Sequence, residues 1–361
     1  MSGQAAIRSG SGLVSRRAIL LSASGFALRG AELNTTSPLE AIRGTVTPAN
    51  LFFVRNHFAE PDLPVSKWTL QIGGRVARPL ELDFSDLLES PAARLEAVLE
   101  CAGNPASGAA VSNGIWEGVP LADLLARARP EPAAKYVLLE GADTGSLSLG
   151  SKVLPYSQIV PVSKCLEENS LIAYKLNNHF LPRRNGFPAR ALLPGWYAMD
   201  SVKWLRRIVL LESEAEATQF YDSGMDRYYV KLVHAAGGLR PEGRVSEVLV
   251  KSVLAYPKDS AKLPAAEHCV WGFAWTGSGT IHNVEISVNG GLSWNQAPLE
   301  SEPKPLAWTR WSYRWKATPG EYKLVSRAHD QAGREQPLQR DPARGDGYEL
   351  NWCAPANCTV R

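Results

Sequence analysis

Along the first two thirds of the chain, the spacing of apolar positions switches between strand-like and helix-like periods. A hairpin is predicted where Trp68–Val76 alternates apolar and polar residues and then turns at glycines. Two short helices are predicted from Asp83 and from Pro120, since each begins a segment with a Leu-Leu pair at helical spacing. The apolar run Tyr136–Glu140 predicts a buried strand that ends at Gly141–Asp143. Further strands are predicted over Ala191–Pro194 and Ile208–Leu211.

Beyond about residue 235, short alternating strands lie between turns and the helical period is lost. Strands are predicted over His268–Trp275, Val284–Trp294, Trp308–Ala317 and Gly320–Ala328. Within the second of these segments, Asn289-Gly290 predicts a hairpin turn. Strands at this spacing without helices predict a β-sandwich. We interpret the tryptophans of this region as sandwich core and interface rather than as a binding platform.

Length and composition are those of a folded protein with two domains. At 361 residues, the chain exceeds what one hydrophobic core usually supports, and the change of pattern divides it into 45–234 and 235–361. Its 45% hydrophobic and 21% charged residues are ordinary for a globular protein. A net charge of +3 without a basic run argues against nucleic acid as a partner. No apolar run reaches the roughly 18 residues of a membrane span, and no G-x-G-x-x-G motif follows a strand.

Residues 1–33 have the pattern of a targeting signal. The pair Arg16-Arg17 and the short apolar region Ile19–Leu28 indicate a twin-arginine signal. That route exports folded proteins, so it predicts a periplasmic location and suits a chain that must first receive a bulky cofactor. No clear small-x-small cleavage site follows the apolar region. The alternative interpretation is an amphipathic or disordered N-terminus with a chance pair of arginines.

The cysteines argue against a disulfide scaffold and against a haem of the c type. They are Cys101, Cys165, Cys269, Cys353 and Cys358. None belongs to a CxxC pair or to a CxxCH attachment motif. The last two are close enough in sequence to pair in an oxidising compartment.

One cysteine has neighbours that suggest chemistry. Cys101 stands where the apolar run Leu95–Leu99 gives way to Ala-Gly-Asn-Pro, which places its sulfur on a loop at a strand end. Alone, such a cysteine is more often a small core residue than a ligand. With Phe52–His57 upstream and Asn185–Arg190 downstream, however, the chain resembles the sulfite oxidase family of molybdenum enzymes. The resemblance implies that the Cys101 thiolate binds the metal; a free structural thiol is the alternative.

The resemblance also implies a fold and a cofactor. It predicts an α+β protein in which a molybdopterin-binding domain precedes an immunoglobulin-like β-sandwich, because Trp271–Trp294 resembles the family's dimerisation domain. A homodimer through that domain follows.

The implied cofactor is molybdenum-molybdopterin, with no haem in this chain. Asn185 stands where the animal enzymes carry histidine, and an amide can replace imidazole as a donor. The residues that match the family's cofactor contacts are His57, Asn56, Asp143, Asn185, and, for the phosphate, Arg190 and Lys203.

For the substrate, the resemblance implies a pocket arginine and a tyrosine beside the metal. Arg55 matches the arginine that would orient a small oxyanion. A tyrosine that donates a hydrogen bond to substrate is expected within 220–229, and the resemblance favours Tyr228 over Tyr229 and Tyr221. For each of these three tyrosines, a packed core position is the alternative.

The predicted pocket departs from the animal enzymes at three places. Pro105-Ala106 replace a pair of arginines after the cysteine motif, and the spacing from Cys101 to Trp116 is shorter, so a segment with a pocket tryptophan is absent. Leu306 stands at the position of a third pocket arginine, for which Arg310 is a candidate replacement. Fewer cations imply weaker binding of a dianion, or another substrate.

Three functions therefore follow as hypotheses. The first is a periplasmic enzyme that oxidises sulfite to sulfate by oxygen-atom transfer and passes electrons to an external carrier, a c-type cytochrome or oxygen. The second is an enzyme of the same fold that acts on another sulfur compound, such as a sulfane-sulfur intermediate or a sulfoxide. The third is a non-enzymatic partner in which the sandwich mediates association.

Overall fold

A computed structural model of the chain describes residues 34–146, 152–216 and 229–361. These residues form mostly β structure. The α-helices among them are α1 (Phe84–Glu89), α2 (Leu121–Ala128) and α3 (Val162–Cys165), and single 3-10 turns cover Leu39–Ala41, Ala49–Leu51, Val65–Lys67 and Arg183–Asn185. In this part of the chain, we find no helix with the length and apolar character to cross a membrane.

The strands of the described residues are numbered in chain order. They are β1 (Leu70–Gly74), β2 (Leu80–Leu82), β3 (Ala93–Glu100), β4 (Val111–Pro120), β5 (Tyr136–Ser146), β6 (Val153–Pro161), β7 (Leu171–Leu176), β8 (His179–Phe180), β9 (Arg190–Leu192), β10 (Leu205–Leu211), β11 (Val230–Ala235), β12 (Gly238–Arg244), β13 (Lys251–Tyr256), β14 (Ala261–Leu263), β15 (Glu267–Trp275), β16 (Ile281–Ser287), β17 (Asn295–Ala297), β18 (Thr309–Lys316), β19 (Gly320–Asp330) and β20 (Ala356–Val360).

Two sheets and the helices build the first part of the molecule. One sheet has the order β2-β1-β10-β5-β6; the other has β3-β4-β7-β8, with β9 paired to β7. The pair β1–β10 is parallel and the other pairs are antiparallel. The buried face of α2, with Leu121, Leu124 and Leu125, packs in one cluster with Ile172 of β7 and Ile208 of β10. This cluster joins the two sheets and fixes their strand ends relative to each other.

Local sequence signals predicted most of these elements correctly. The antiparallel pair β1–β2 forms the predicted hairpin. Helix α1 begins after Asp83, whose carboxylate accepts from the Asp86 backbone N–H while the Asp86 carboxylate accepts from the Asp83 N–H. This reciprocal capping box satisfies two of the backbone donors that a helix N-terminus leaves open. The second predicted helix is α2.

The predicted end of the strand at Gly141–Asp143 is wrong. Strand β5 continues to Ser146, with an irregularity in its pairing to β6 between Glu140 and Thr144. The backbone remains satisfied there, since the Ala142 N–H donates to the carbonyl of Trp204 at 2.9 Å. A bulge of this kind redirects a side chain without ending a strand, and here it carries Asp143.

After the separate antiparallel pair β11–β12, the second part of the molecule contains two further sheets. Their orders are β13-β15-β18 and β14-β20-β19-β16-β17. Buried apolar side chains of both sheets, including Val270, Trp311, Ile286 and Leu324, form one core cluster. Trp311 and Trp315 belong to this core, as predicted, and Trp271, Trp275 and Trp308 are buried in a second cluster. That this domain is immunoglobulin-like stays a prediction.

The Asn289-Gly290 turn differs from its prediction. Strands β16 and β17 do pair antiparallel, but residues 288–294 lie between them, so the connection is longer than a two-residue hairpin. Gly290 has a φ of +73°, which a glycine adopts without strain, and the Asn289 side chain accepts from the Ser293 N–H. The side chain organises a wider loop in place of the tight turn.

The two parts share an apolar contact beside the cysteine motif. Val98, three residues before Cys101, and Ala102, directly after it, pack in one buried cluster with Val253, Phe273 and Trp275 of the second part. Burial of this kind excludes water and contributes about 25 cal/mol per Å² of apolar surface. The loop that carries Cys101 is therefore built by both parts of the chain.

Candidate functional site

The described candidate residues converge on one cavity of about 230 Å³. It lies between the segment 52–57, the loop after β3 and the segment 185–203. All the predicted site residues that the structure describes line it; they are Arg55, Asn56, His57, Cys101, Asp143, Asn185, Arg190 and Lys203. Tyr228, the favoured tyrosine, lies outside the described residues, as does Tyr221. The three sequence motifs therefore meet in space, although Cys101 and Asn185 are 84 positions apart in the chain.

Cys101 follows the last residue of β3, on a loop that is closed by its own hydrogen bonds. Its N–H donates to the Ala110 carbonyl at 2.9 Å, and its carbonyl accepts from the Asn104 N–H at 2.8 Å. The Asn104 side chain in turn accepts from the N–H groups of Ala109 and Ala110. The sulfur is thus held at a fixed position on the cavity wall.

The surroundings of the Cys101 thiol include groups that raise its pKa and groups that lower it. Burial raises the pKa of the Cys101 thiol, while the Gly103 N–H and the nearby charges of Arg55 and Lys251 lower it. A thiolate is the form that binds a soft metal. Because burial dominates, the thiol needs the metal's own charge to lose its proton.

Two neighbouring cations line the cavity, the buried Arg190 and the half-buried Lys203. Arg190 is 4% exposed and donates to the carbonyls of Asn185 (3.1 Å) and Ser201 (2.6 Å). The Lys203 ammonium donates to the Asn56 side chain and, at 3.2 Å, to the Arg184 carbonyl. Burial lowers the pKa of Arg190 to about 9 and, with the nearby Arg190 charge, lowers the pKa of Lys203 to about 7.

These cations are a costly arrangement unless an anion joins them. Burial of two adjacent positive charges is unfavourable without a counter-charge. In the described residues, neither side chain forms an ion pair with a carboxylate. Gly186, with a φ of +109°, is required beside them: a Cβ there would lie 3.1 Å from the Arg190 Cβ and 3.2 Å from the Lys203 Cβ. The wall has the composition of a binding site for a phosphate.

The remaining wall carries polar atoms that the described protein does not satisfy. Asp143 Oδ1, Asn185 Oδ1 and Asn56 Nδ2 are buried, and none of them has a hydrogen-bond partner among the described residues. Each such atom costs about 1–3 kcal/mol when left unpaired. Burial raises the pKa of Asp143 to about 7, and it lowers the pKa of His57 to about 4, so the imidazole is neutral at pH 7.

The donor and acceptor set fits a molybdenum cofactor. A pterin ring offers donors and acceptors to unsatisfied side-chain oxygens and an amide nitrogen, its phosphate suits the Arg190–Lys203 pair, and its metal suits a thiolate. The residues with unsatisfied atoms, the two cations and Cys101 all line the same cavity. Asn185 belongs to this set, as the sequence predicted for the position where the animal enzymes carry histidine.

At the cavity mouth, Arg55 and aromatic side chains surround the metal side. The Arg55 Nη1 donates to the carbonyls of Thr35 (2.6 Å) and Val54 (2.9 Å), which fixes the guanidinium in place. The Tyr229 hydroxyl lies 3.5 Å from His57 Nδ1. Tyr229, the less favoured alternative, therefore reaches the site. The preference for Tyr228 stays a prediction.

Sequence reasoning missed some lining residues and misplaced one. Tyr156 on β6 lines the cavity, and its hydroxyl donates to the Met199 carbonyl at 3.0 Å. Strand alternation was the one signal for it, and that signal does not separate a cavity wall from a core. Arg310, the candidate replacement for a pocket arginine, is not at the cavity: it donates to the Arg43 carbonyl and pairs with Glu300 at 3.1 Å.

The buried Lys203 makes the stability of the cofactor-free protein depend on pH. Its folded-state pKa of about 7 is below that of an exposed lysine. The Lys203 ammonium therefore destabilises the folded protein most below pH 7, where it is charged. Above pH 7 this cost declines, because the unfolded chain then binds more protons than the folded chain. We expect Lys203→Met to raise the free energy of unfolding most at pH 6, and the gain to shrink by about 2 kcal/mol between pH 7 and 9. Urea unfolding of both cofactor-free proteins at these pH values measures the difference in free energy of unfolding. A difference that grows with pH would contradict the prediction.

Comparisons with known proteins agree with this geometry. Residues 57–219 match the family described as "Oxidoreductase molybdopterin binding domain", and residues 243–343 match "Mo-co oxidoreductase dimerisation domain". Sulfite oxidase of Gallus gallus is 30% identical over 320 residues, which are 81% of this chain and 68% of that protein. The NADH-dependent nitrate reductase 2 of Arabidopsis thaliana is 29% identical over 77% of this chain and 35% of its own length.

Mammalian relatives and a solved structure extend the comparison. Mitochondrial sulfite oxidase of Mus musculus is 29% identical over 84% of this chain; the match spans 60% of that enzyme and 57% of the rat enzyme. The crystal structure of the sulfane dehydrogenase SoxCD from Paracoccus pantotrophus superposes with a TM-score of 0.79 at 26% identity, over 94% of this chain and 91% of that chain.

The family assignment settles the class of chemistry. A cavity with a thiol, buried cations and unsatisfied polar atoms lies in a chain that matches both domains of a molybdenum enzyme. The chain is an oxidoreductase whose cofactor is molybdenum-molybdopterin, and the non-enzymatic alternative is wrong. This protein belongs to the sulfite oxidase family of molybdopterin-dependent oxidoreductases.

Proposed function

We propose that this protein oxidises a small sulfur compound, with sulfite as the first candidate, and passes the electrons to an external carrier such as a c-type cytochrome. The observation that carries the proposal is the meeting of Cys101 and Arg55 on the wall of one cavity. A thiolate ligand and a guanidinium at that mouth suit the oxidation of a small oxyanion. Relatives from chicken and mouse that match more than four fifths of this chain are sulfite oxidases.

The side chains have separate tasks in this proposal. When bound, the molybdenum cofactor supplies two-electron oxygen-atom transfer. Arg55 binds and orients the oxyanion through charge-assisted hydrogen bonds. His57 is neutral at pH 7, so its imidazole donates or accepts without adding charge. The Tyr229 hydroxyl, 3.5 Å from His57 Nδ1, supplies a second polar contact at the cavity wall.

Removal of the Arg55 charge should weaken substrate binding more than turnover. A charge-assisted hydrogen bond contributes about 1.5–3 kcal/mol, so we expect Arg55→Met to raise the KM for sulfite by about 10- to 100-fold. Arg183→Met is the matched control, since this arginine is 60% exposed and pairs with Glu60 and Asp62 at the surface. Steady-state kinetics at fixed ionic strength give both values. An unchanged KM in Arg55→Met would remove this residue from the substrate site.

A sulfane-sulfur substrate is the second candidate. The observation that favours it is the small number of cations: Pro105-Ala106 replace an arginine pair, and Arg310 is held away from the cavity by the Arg43 carbonyl and Glu300. Arg190 and Lys203 would hold the cofactor phosphate, which leaves Arg55 as the cation for the substrate among the described lining residues. A terminal sulfur with less charge than a dianion needs fewer cations. The match to a sulfane dehydrogenase over most of the chain supports the same choice.

A substrate screen separates the candidates. Purified holoenzyme is assayed with sulfite, with cysteine-bound sulfane sulfur and, in the reducing direction, with a sulfoxide. Cytochrome c and oxygen are compared as acceptors. Sulfite-dependent cytochrome reduction supports the first candidate, and turnover of sulfane sulfur alone supports the second. If the Cys101→Ser variant kept both activities, the measured reaction would belong to a contaminant.

We also propose a periplasmic location and a homodimer. The first is supported by Arg16-Arg17 and the apolar region after them, which lie outside the described residues. The second is supported by the match of residues 243–343 to a dimerisation domain. Cell fractionation tests the location, and light scattering of purified protein tests the dimer.

A further inference from the structure

The second part of the molecule places one ammonium group against the metal-binding loop. Lys251, the first residue of β13, is 1% exposed. Its Nζ lies 3.0 Å from Glu100 Oε1, 3.0 Å from the Pro105 carbonyl and 3.5 Å from the Asn104 carbonyl. These acceptors precede and follow Cys101 in the chain. One side chain therefore bridges both ends of the loop that carries the thiol.

Glu100 completes the bridge from the other side. It is 2% exposed, and its second oxygen accepts from the Trp275 indole N–H at 2.7 Å. Its first oxygen also accepts from the Asn104 amide at 2.8 Å. The carboxylate next to Cys101 thus binds one donor within its loop and two donors from the second part. Such a network holds a loop more rigidly than apolar packing alone, since each bond has a preferred direction.

Backbone contacts extend the same attachment. The Glu100 carbonyl accepts from the Ala198 N–H at 2.8 Å, and the Ala102 carbonyl accepts from the Glu349 N–H at 3.0 Å. The residues on both sides of Cys101 are therefore fixed at backbone and side chain. Rotation of the loop would break several of these contacts at once.

We propose that Lys251 is a positioning residue that aims the Cys101 sulfur at the metal. It acts through Glu100 and the carbonyls of Asn104 and Pro105 and contacts neither cofactor nor substrate. This inference rests on the cofactor and not on the choice of substrate, so it stands whichever sulfur compound is turned over. The second domain then has a role in the metal site in addition to association.

The test compares two buried lysines. Lys251→Met removes the bridge. Lys164→Met is the control, because Lys164 is also buried (5% exposed) and donates to Glu167 (2.6 Å) and to the Pro194 carbonyl (2.7 Å), away from the loop. Each holoenzyme is analysed for molybdenum per chain and by X-ray absorption at the molybdenum edge, which reports the sulfur neighbours and their distances. Neither readout requires a known substrate.

We expect Lys251→Met to lower molybdenum retention by about 10-fold, as loss of an outer-shell partner does, and to weaken or lengthen the cysteine sulfur contribution. Lys251→Arg should recover part of both, since it keeps the donor. Should Lys251→Met not fold, the double variant Glu100→Gln/Lys251→Met is measured, because it leaves no unpaired buried charge; it should show the same loss of sulfur signal. A wild-type sulfur signal in the folded variant, or an equal loss in Lys164→Met, would overturn the proposal.

Discussion

Cys101→Ser should abolish turnover while the fold is kept. A hydroxyl replaces the soft thiolate at the same position, and oxygen ligands suit hard cations rather than a sulfur-bound molybdenum. Loss of an outer-shell partner of a metal costs about 10- to 100-fold, so loss of the ligand should cost more, about 10³-fold in turnover per molybdenum. The loop itself should persist, because its hydrogen bonds at Ala110 and Asn104 use backbone and amide groups and not the sulfur.

The matched control for this variant is Cys269→Ser. Cys269 is exposed on β15, so the same exchange there leaves the cavity unchanged. Activity per molybdenum atom, unfolding temperature and molybdenum content are compared for both variants. Turnover by Cys101→Ser within tenfold of wild type would mean that the metal is held by another group. Equal losses in both variants would trace the effect to the fold.

Local signals predicted several elements of the first part of the chain. The capping box at Asp83 and the alternation from Trp68 are contained in short segments, so one sequence sufficed for them. The same holds for the cysteine motif: an apolar run followed by turn residues places Cys101 at a strand end. The convergence of three motifs came from the family resemblance, since spacing along the chain does not show which loops meet.

What the sequence did not show depends on contacts between distant segments. Asp143 reaches the cavity through a bulge, and its strand continues because the Trp204 carbonyl satisfies the displaced backbone. Tyr156 lies in a strand whose cavity-facing side chains resemble core residues. Lys251 is 151 positions from Glu100, and a lysine in a strand pattern predicts an exposed position. In each case, a tertiary partner decides the role.

Lys203→Met should separate stability from cofactor retention. In the cofactor-free protein, the buried ammonium costs free energy, since burial lowers its pKa to about 7. In the loaded protein, Lys203 would hold the cofactor phosphate together with Arg190, since both side chains line the cavity. Removal of one partner of such a buried charge pair costs about 2–5 kcal/mol. We therefore expect the variant to be more stable than wild type without cofactor and to retain about 30-fold less molybdopterin.

The variant is expected to gain stability and to lose cofactor, and this combination distinguishes a phosphate-binding lysine from a structural one. A lysine with a merely structural role would lower both quantities when removed, because its bonds to Asn56 and to the Arg184 carbonyl would be lost in either state. Lys164→Met, at a buried lysine outside the cavity, should lose stability and keep its cofactor. Pterin fluorescence after denaturation measures retention, and urea unfolding measures stability. Wild-type retention in Lys203→Met would place the phosphate elsewhere, and with it the orientation of the pterin relative to Cys101.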